Sequence, residues 1–171
     1  MTDGDSSDLP DIRLLTPAQL LQTYGAVLDE LRRRKIVRSS NNPLSDYAEL
    51  LFCEAFGWTQ KGNSESGYDA IDAQGNRYQV KGRRLTRFNG SRQLSAIRKL
   101  DTKPFDYLAG LLVDERFTVL RAVIIPLSIV EARSTHVAHT NSWKFMLVDD
   151  VWALPLARDV TGELRAAAAA I

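Results

Sequence analysis

The sequence predicts an α/β fold in which a mixed central β-sheet is flanked by helices. Two segments carry apolar residues at helical intervals, and a hairpin and two apolar runs typical of buried strands follow them. The chain of 171 residues, 44% hydrophobic and 25% charged, has the size and composition of a globular protein with a hydrophobic core. We therefore expect one domain over residues 13–171, preceded by an acidic, disordered tail over residues 1–12.

The first predicted helix spans about residues 17–35. Thr16 and Gln19 have the spacing of a capping box, and Pro17 occupies the first helical position, where proline is favoured. The four consecutive cations over residues 32–35 could contact phosphates. However, the helix dipole favours cations at a helix C-terminus without any ligand.

The second predicted helix spans about residues 44–56 and ends at Gly57, a residue suited to a helix C-cap. Glu49 and Glu54 fall on opposite flanks of its apolar stripe, at 100° per residue. Either carboxylate could therefore face inward, and either could be an ordinary surface charge.

A hairpin is predicted next, with strands over residues 68–72 and 77–81. Both runs are rich in aromatic and branched residues, and the residues between them, Gln74-Gly75-Asn76, tolerate a positive φ. This segment carries the most unusual polar residues of the chain.

Side chains alternate along a strand, so Gln79 and Lys81 point to one face and Val80 to the other. A three-residue turn centred on Gly75 places Asp69 opposite Lys81, on the face of Gln79 and Lys81. A two-residue turn would shift the register and remove Asp69 from this direct pairing.

A divalent cation would explain this grouping. Asp69 supplies a hard oxygen ligand, the Val80 carbonyl is a second candidate ligand, and Lys81 is placed to act on a metal-bound water. The alternative is a solvated hairpin face with an ordinary cross-strand pair between Asp69 and Lys81.

The helical Glu49, followed by Gly67-Tyr68-Asp69 and then Gln79-Val80-Lys81, resembles the PD-(D/E)xK nuclease superfamily. In that superfamily a helical glutamate, an aspartate on one strand and an acidic-x-lysine pair on the next surround one or two Mg²⁺ ions. The resemblance covers roughly residues 43–113. It implies a restriction-endonuclease-like core, here with an extra N-terminal helix. Residues 45–98 also look like small bacterial proteins of unassigned function with the same core.

By this resemblance Glu49, Asp69, Gln79 and Lys81 form the catalytic site of a Mg²⁺-dependent DNA nuclease acting in restriction, genome defence or repair. Glu49, Asp69 and Val80 would hold the Mg²⁺, which Mn²⁺ could replace. Two carboxylates next to Lys81 are expected to raise its pKa, which makes it an electrostatic partner of the attacking water and a poor base.

Gln79 departs from the family pattern, in which Glu or Asp is commoner. An amide oxygen can bind a cation or a water but brings no charge. Because of Gln79, an alternative function remains: the protein could be a catalytically inactive DNA-binding module of the same fold, or an accessory subunit. Both predictions, the nuclease and the inactive module, are compatible with a homodimer and with a partner from a defence system.

A basic run follows the hairpin, with nine cations and only Asp101 as an anion over residues 77–103. Such a local field favours phosphate binding, and DNA is the expected partner. A helix is predicted from Ser91 to about Leu100, whose N-terminus would seat a phosphate. The predicted nucleic-acid contacts are Arg83, Arg84, Arg87, Ser91, Arg92 and Lys99. A solvated basic face is the alternative.

The remaining elements are predicted from apolar runs. Residues 105–113 and 117–125 read as strands, residues 127–132 as a short helix, and residues 143–148 and 151–154 as late strands or an edge hairpin. No apolar run approaches 18 residues and no signal peptide is visible, so we expect a cytoplasmic protein without membrane contact.

Overall fold

The computed structural model describes residues 11–39, 42–62 and 67–171. These residues fall into two compact units, one before residue 42 and one from residue 42 onward. Most of the predicted tail lies outside the described residues. Within it, Asp11 accepts a hydrogen bond from the backbone N–H of Arg13 at 3.1 Å and caps a 3-10 turn over Ile12–Leu14.

The first unit is built around helix α1, Pro17–Arg33. The predicted capping box is confirmed: Gln19 N–H donates to Thr16 Oγ1 at 3.3 Å, and Thr16 N–H donates to Gln19 Oε1 at 2.8 Å. The helix ends two residues before its predicted end, and Lys35 has a φ of 62°. The N-terminal helix predicted from the sequence is therefore present.

The second unit contains a mixed sheet of six strands among the described residues, in the order β1-β2-β3-β5-β6-β9. The strands of this sheet are β1 Thr59–Gln60, β2 Ala70–Ile71, β3 Arg77–Arg84, β5 Tyr107–Val113, β6 Val119–Pro126 and β9 Arg158–Asp159. β3 and β5 are parallel, and the other neighbouring pairs are antiparallel. The predicted mixed sheet is confirmed.

Helices and a small sheet cover the two faces of the central sheet. The helices are α2 Leu44–Phe56, α3 Leu127–Arg133 and α4 Thr161–Ala170, and the small sheet has the order β4-β8-β7, with β4 Ile97–Arg98, β7 Thr135–Val137 and β8 Ser142–Lys144. α2 and α4 pack on the face that carries Val80 and Leu111. Leu108, Val130 and Phe145 belong to a second core cluster on the opposite face. This arrangement confirms an α/β fold.

The helix predicted from Ser91 to Leu100 is wrong. That segment contains strand β4 and a 3-10 turn over Leu100–Thr102. Leu94 N–H donates to the Phe145 carbonyl at 3.0 Å, and Leu147 N–H donates to the Arg92 carbonyl at 3.0 Å. The segment therefore satisfies its backbone by pairing with distant residues and needs no helical hydrogen bonds.

One of the late strands is also wrong. Val151 and its neighbours lie in a 3-10 turn over Asp149–Ala153, whereas the other late segment does contribute the strand β8. Asp149 accepts hydrogen bonds from Arg92 at 2.6 Å and Arg121 at 3.0 Å. These ion pairs hold the turn against neighbouring segments.

Within the described ranges, no helix combines the length and the apolar character that crossing a membrane requires.

Candidate functional site

The hairpin of β2 and β3 places the first candidate residues. Ala70 pairs with Tyr78 and Ile71 with Arg77, so the turn is centred on Gln74 and Asp69 lies opposite Gln79. Of the two turns considered, the one centred on Gly75 is wrong by one residue in its centre, and it is wrong by two residues in the partner of Asp69, which is Gln79 and not Lys81. Because two is an even number, Asp69 keeps the face that it shares with Gln79 and Lys81.

The turn is fixed by the carboxylate of Asp72. It accepts hydrogen bonds from the backbone N–H groups of Gln74 and Asn76, both at 2.9 Å, and from the Tyr78 hydroxyl at 2.9 Å. Gly75 follows with a φ of 89°, which glycine adopts without strain. These side-chain bonds set a register that the spacing of turn residues alone left open.

Asp69 is bound directly to the strand that carries Gln79 and Lys81. Its Oδ2 accepts a hydrogen bond from Val80 N–H at 2.7 Å and a second one from the Gln79 side-chain amide. The N–H and the C=O of one strand residue point to the same edge of the strand. The Val80 carbonyl therefore faces the edge on which Asp69 lies.

Gly67 allows the chain to enter this hairpin. Its φ is 110°, and a Cβ atom at this position would lie 2.6 Å from the Cβ of Pro104. Only glycine combines that backbone conformation with so close an approach.

Helix α2 supplies the second carboxylate. Glu49 is buried, with 8% of its surface exposed, and its Oε2 accepts a hydrogen bond from Gln60 Nε2 at 2.9 Å. Glu54 is exposed. The helical pattern allowed either glutamate to face inward, and in the structure Glu49 does.

Asp46 and Gln60 were not singled out in the sequence. Asp46 is as buried as Glu49, at 8% exposure, in the first turn of α2, where the helix dipole favours a carboxylate. Gln60 holds Glu49 from strand β1. No local pattern marks Gln60, because its role depends on a strand that only tertiary contacts define.

Lys81 is half-buried on β3. Burial lowers its pKa below the ordinary value of 10.5, while attraction by Asp69 and Glu49 acts in the opposite direction and Arg98 lowers the pKa further. The expectation that the two carboxylates raise this pKa is therefore wrong in its net direction, because desolvation outweighs them. The same interactions show that Lys81 lies within electrostatic reach of both Asp69 and Glu49.

A cleft of about 360 Å³ opens beside Lys81. Its lining consists of Gly67, Gln79, Lys81, Ala96, Arg98 and Lys99. Lys99 was predicted as a nucleic-acid contact, and Arg98 was among the arginines of the basic run that were expected to bind phosphates. Ile97 is fully buried and Arg98 next to it is exposed. β4 has only two residues, so no alternation in the sequence marks this difference.

The other predicted nucleic-acid contacts do not share this cleft. Arg83 and Arg84 line a second cleft of about 420 Å³, together with Asn42 and Ser45 at the start of α2. Arg83 Nε donates to the Ser91 carbonyl at 2.8 Å.

Arg87 and Arg92 line neither of these two clefts. Arg87 is in an exposed turn, with its guanidinium 4.8 Å from the centre of the Phe88 ring. Arg92 pairs with Asp149 at 2.6 Å. The predicted phosphate seat at Ser91 is wrong, because no helix begins there.

The oxygen atoms of this site suit a small hard cation. Within the part of the chain that the structure describes, no group of three or more His, Cys, Asp or Glu side chains could hold a metal ion. Mg²⁺ retains several waters and is commonly bound through only one or two carboxylates. Asp69, Glu49 and the Val80 carbonyl therefore offer oxygen atoms of the kind that Mg²⁺ and also Mn²⁺ bind.

No protein-family model matches this chain, and the search of curated proteins finds no significant match.

Proposed function

We propose that this protein is a Mg²⁺-dependent nuclease that hydrolyses phosphodiester bonds in DNA on a restriction-endonuclease-like core. One observation supports the proposal above all others: the half-buried Lys81 lies within electrostatic reach of two carboxylates, from different elements, beside a cleft lined by further cations. Ionisable residues that are buried against their own preference are concentrated at functional sites.

Asp69, Glu49 and the Val80 carbonyl bind the cation in this proposal. Bound Mg²⁺ supplies a Lewis acid for the phosphate and lowers the pKa of a coordinated water. Gln60 orients Glu49, and Val80 N–H orients Asp69, through the hydrogen bonds described above. The two carboxylates are therefore held in position before substrate binds.

Lys81 stabilises charge. Its ammonium group donates to a non-bridging phosphate oxygen or to the attacking water, and it offsets the negative charge that develops in the transition state. Partial burial strengthens this interaction because the local dielectric constant is lower than in water.

Arg98 and Lys99 bind the phosphates next to the scissile bond, from the same cleft. Arg83 and Arg84 offer a second contact region for the backbone of the nucleic acid. Both contacts are electrostatic and independent of sequence, so binding is expected to weaken as salt rises.

A DNA-binding module without catalysis is the second candidate function. Gln79 favours it, because its amide nitrogen donates to Asp69 and its oxygen therefore points elsewhere. A neutral side chain at this position also leaves the site with one negative charge fewer than the usual family pattern.

Cleavage of plasmid and branched DNA with Mg²⁺ or Mn²⁺ tests the proposal. We expect wild type to cut DNA, and Asp69→Ala to lose at least a hundredfold in rate, because one ligand is removed from a preformed hairpin. Equal cleavage by wild type and Asp69→Ala would exclude this site. Metal-independent DNA binding without cleavage by the wild type would favour the binding module, and cleavage of RNA alone would correct the substrate.

The two glutamates of α2 provide a matched control. Glu49→Gln and Glu54→Gln make the same chemical change on one helix, at a buried and at an exposed position. Only Glu49→Gln should abolish cleavage. The opposite result would place the site on the other flank of α2.

A further inference from the structure

The loop between β3 and β4 exposes an aromatic ring at its tip. Phe88 keeps 86% of its surface exposed, more than any other large apolar residue that the structure describes in the second unit. Thr86 and Asn89 exchange two backbone hydrogen bonds of 3.0 Å each, so Arg87 and Phe88 are the central residues of a tight turn. Glycine and small polar residues are favoured at such positions. The turn itself therefore gives no reason for an aromatic side chain.

Side-chain hydrogen bonds fix this turn. Thr86 Oγ1 accepts hydrogen bonds from the N–H groups of Asn89 at 3.0 Å and Phe88 at 3.3 Å, and Asn89 Oδ1 accepts one from Ser91 N–H at 3.1 Å. The guanidinium group of Arg87 lies 4.8 Å from the centre of the Phe88 ring. The ring is thus presented to solvent on an ordered support with a cation beside it, which reduces the entropy that binding a ligand would cost.

The turn lies at the edge of the second cleft, which has a volume of about 420 Å³. Thr86 and Asn89, which close the turn, line this cleft together with Arg83 and Arg84. Backbone carbonyl oxygens hold the guanidinium groups of Arg83 and Arg84, at 2.8 Å and 2.7 Å. Among the residues that the structure describes, no carboxylate forms a salt bridge with Arg83, Arg84 or Arg87. The positive charge at this cleft is therefore available to a ligand.

A ligand that contacts both the cleft and the ring must combine negative charge with a flat apolar face. Phosphates and bases give nucleic acids this combination. In a duplex the faces of each base are covered by the neighbouring base pairs, whereas a single strand can offer its bases to an aromatic side chain. Charge and ring together therefore favour a single strand.

We propose that the second cleft and Phe88 form a binding site for single-stranded DNA. Arg83, Arg84 and Arg87 contact the phosphates, and Phe88 stacks on an unpaired base. The inference rests on the DNA binding that is proposed above, but it does not require cleavage.

Fluorescence anisotropy of a labelled single-stranded oligodeoxynucleotide, measured without metal, tests the site. Phe88→Ala should weaken binding by about fivefold or more, as expected for the loss of stacking on one base. The slope of log K against log salt should stay that of wild type, because no phosphate contact is lost. Affinity for a duplex of the same sequence should change less, since its bases stack on each other.

Leu156→Ala is the matched control, because Leu156 is a large apolar residue that is 78% exposed and lines neither cleft. Its affinity for the single strand should equal that of wild type. Phe88→Trp keeps an aromatic ring and should retain the affinity. Its tryptophan emission should be quenched more than that of wild type when the oligodeoxynucleotide is added, since the new indole stacks on a base.

The outcomes separate this site from the proposed nuclease. Equal affinities of wild type and Phe88→Ala for the single strand would overturn the site without affecting the nuclease. A loss in Phe88→Ala that comes with a smaller salt slope would also overturn it, because the ring would then act by holding the arginines. A wild type that binds single strands through Phe88 but cuts no DNA with Mg²⁺ would support the site and contradict the nuclease. A wild type that binds no single strand overturns the site, even if it binds duplex DNA.

Discussion

Two opposing effects act on the pKa of Lys81, the residue on which the candidate site depends. A half-buried ammonium group loses hydration, which lowers its pKa, whereas the attraction of Asp69 and Glu49 raises it. The loss of hydration is the larger effect, because the pKa of Lys81 falls below its ordinary value. Folding alone would favour an apolar residue at this position. A charged side chain at a half-buried position supports the role that is proposed for Lys81.

Replacing Lys81 by methionine should therefore separate stability from activity. Lys81→Met keeps an unbranched side chain that is one atom shorter and removes the half-buried charge, so we expect the free energy of unfolding to rise by about 1 kcal/mol. DNA cleavage should be lost in the same variant. Denaturant unfolding at neutral pH and a cleavage assay measure the two effects.

Lys144→Met is the control, because Lys144 is exposed on β8. Its stability should change by less than about 0.5 kcal/mol, and its activity should not change. If Lys81→Met instead destabilises the protein, the ion pairs with the two carboxylates outweigh the cost of burial.

Gln79 allows a test of the cation itself. Gln79→Glu adds a negative charge beside Asp69, and a more negative oxygen cage binds a divalent ion more tightly, by about 1–3 kcal/mol. In a working nuclease the Mg²⁺ concentration for half-maximal cleavage should fall, while DNA affinity without metal changes little. Identical Mg²⁺ titrations for wild type and Gln79→Glu would show that position 79 does not face the ion.

Elements with local signals were predictable from the sequence. The capping box of α1 and the C-cap at Gly57 each depend on only a few neighbouring residues, and both are present in the structure. The segment around β4 was mistaken for a helix because its hydrogen-bond partners, near Phe145 and Leu147, lie some 50 residues away along the chain. Local sequence patterns cannot reveal such pairing.

The hairpin between β2 and β3 is an intermediate case. Its existence and the shared face of Asp69, Gln79 and Lys81 followed from alternation, but its register did not. The register depends on the bonds of the Asp72 carboxylate rather than on the position of Gly75. Gln60, which donates a hydrogen bond to Glu49, could not be predicted either, because it lies on a strand of only two residues.

The turn of this hairpin should make stability depend on pH. Burial alone would raise the pKa of Asp72, but hydrogen bonds from Asn76, Tyr78 and Gln74 outweigh burial and lower it below 3.8. A depressed folded pKa adds stability that is complete above the unfolded pKa and disappears as pH falls through the folded pKa. Asp72→Asn should therefore destabilise the protein at neutral pH, and the difference from wild type should shrink below about pH 4.

Unfolding by denaturant at several pH values measures this difference. Asp101→Asn is a suitable control, because Asp101 is exposed in the 3-10 turn after β4. A gap between wild type and Asp72→Asn that stays constant with pH would show that the charge of Asp72 does not stabilise the turn.

At the scale of the whole molecule, charge is distributed unevenly. The net charge is only +1, yet the basic run supplies cations to two separate clefts. The fold also divides this run, since Arg98 lines the cleft beside Lys81 and Arg92 pairs with Asp149. A sequence shows that cations are close along the chain, whereas the chain path decides which of them share a surface.

This division gives a prediction about DNA binding. Without metal, Arg98→Ala should weaken binding to a labelled duplex several-fold and reduce the slope of log K against log salt by about 1, the share of one phosphate contact. Arg92→Ala should leave affinity and slope nearly unchanged, since it removes an ion pair with an exposed aspartate that contributes little to stability. Fluorescence anisotropy at several salt concentrations measures both quantities. Equal losses in the two variants would mean that the basic run binds DNA as one diffuse face, so that the cleft beside Lys81 has no special part in positioning the backbone.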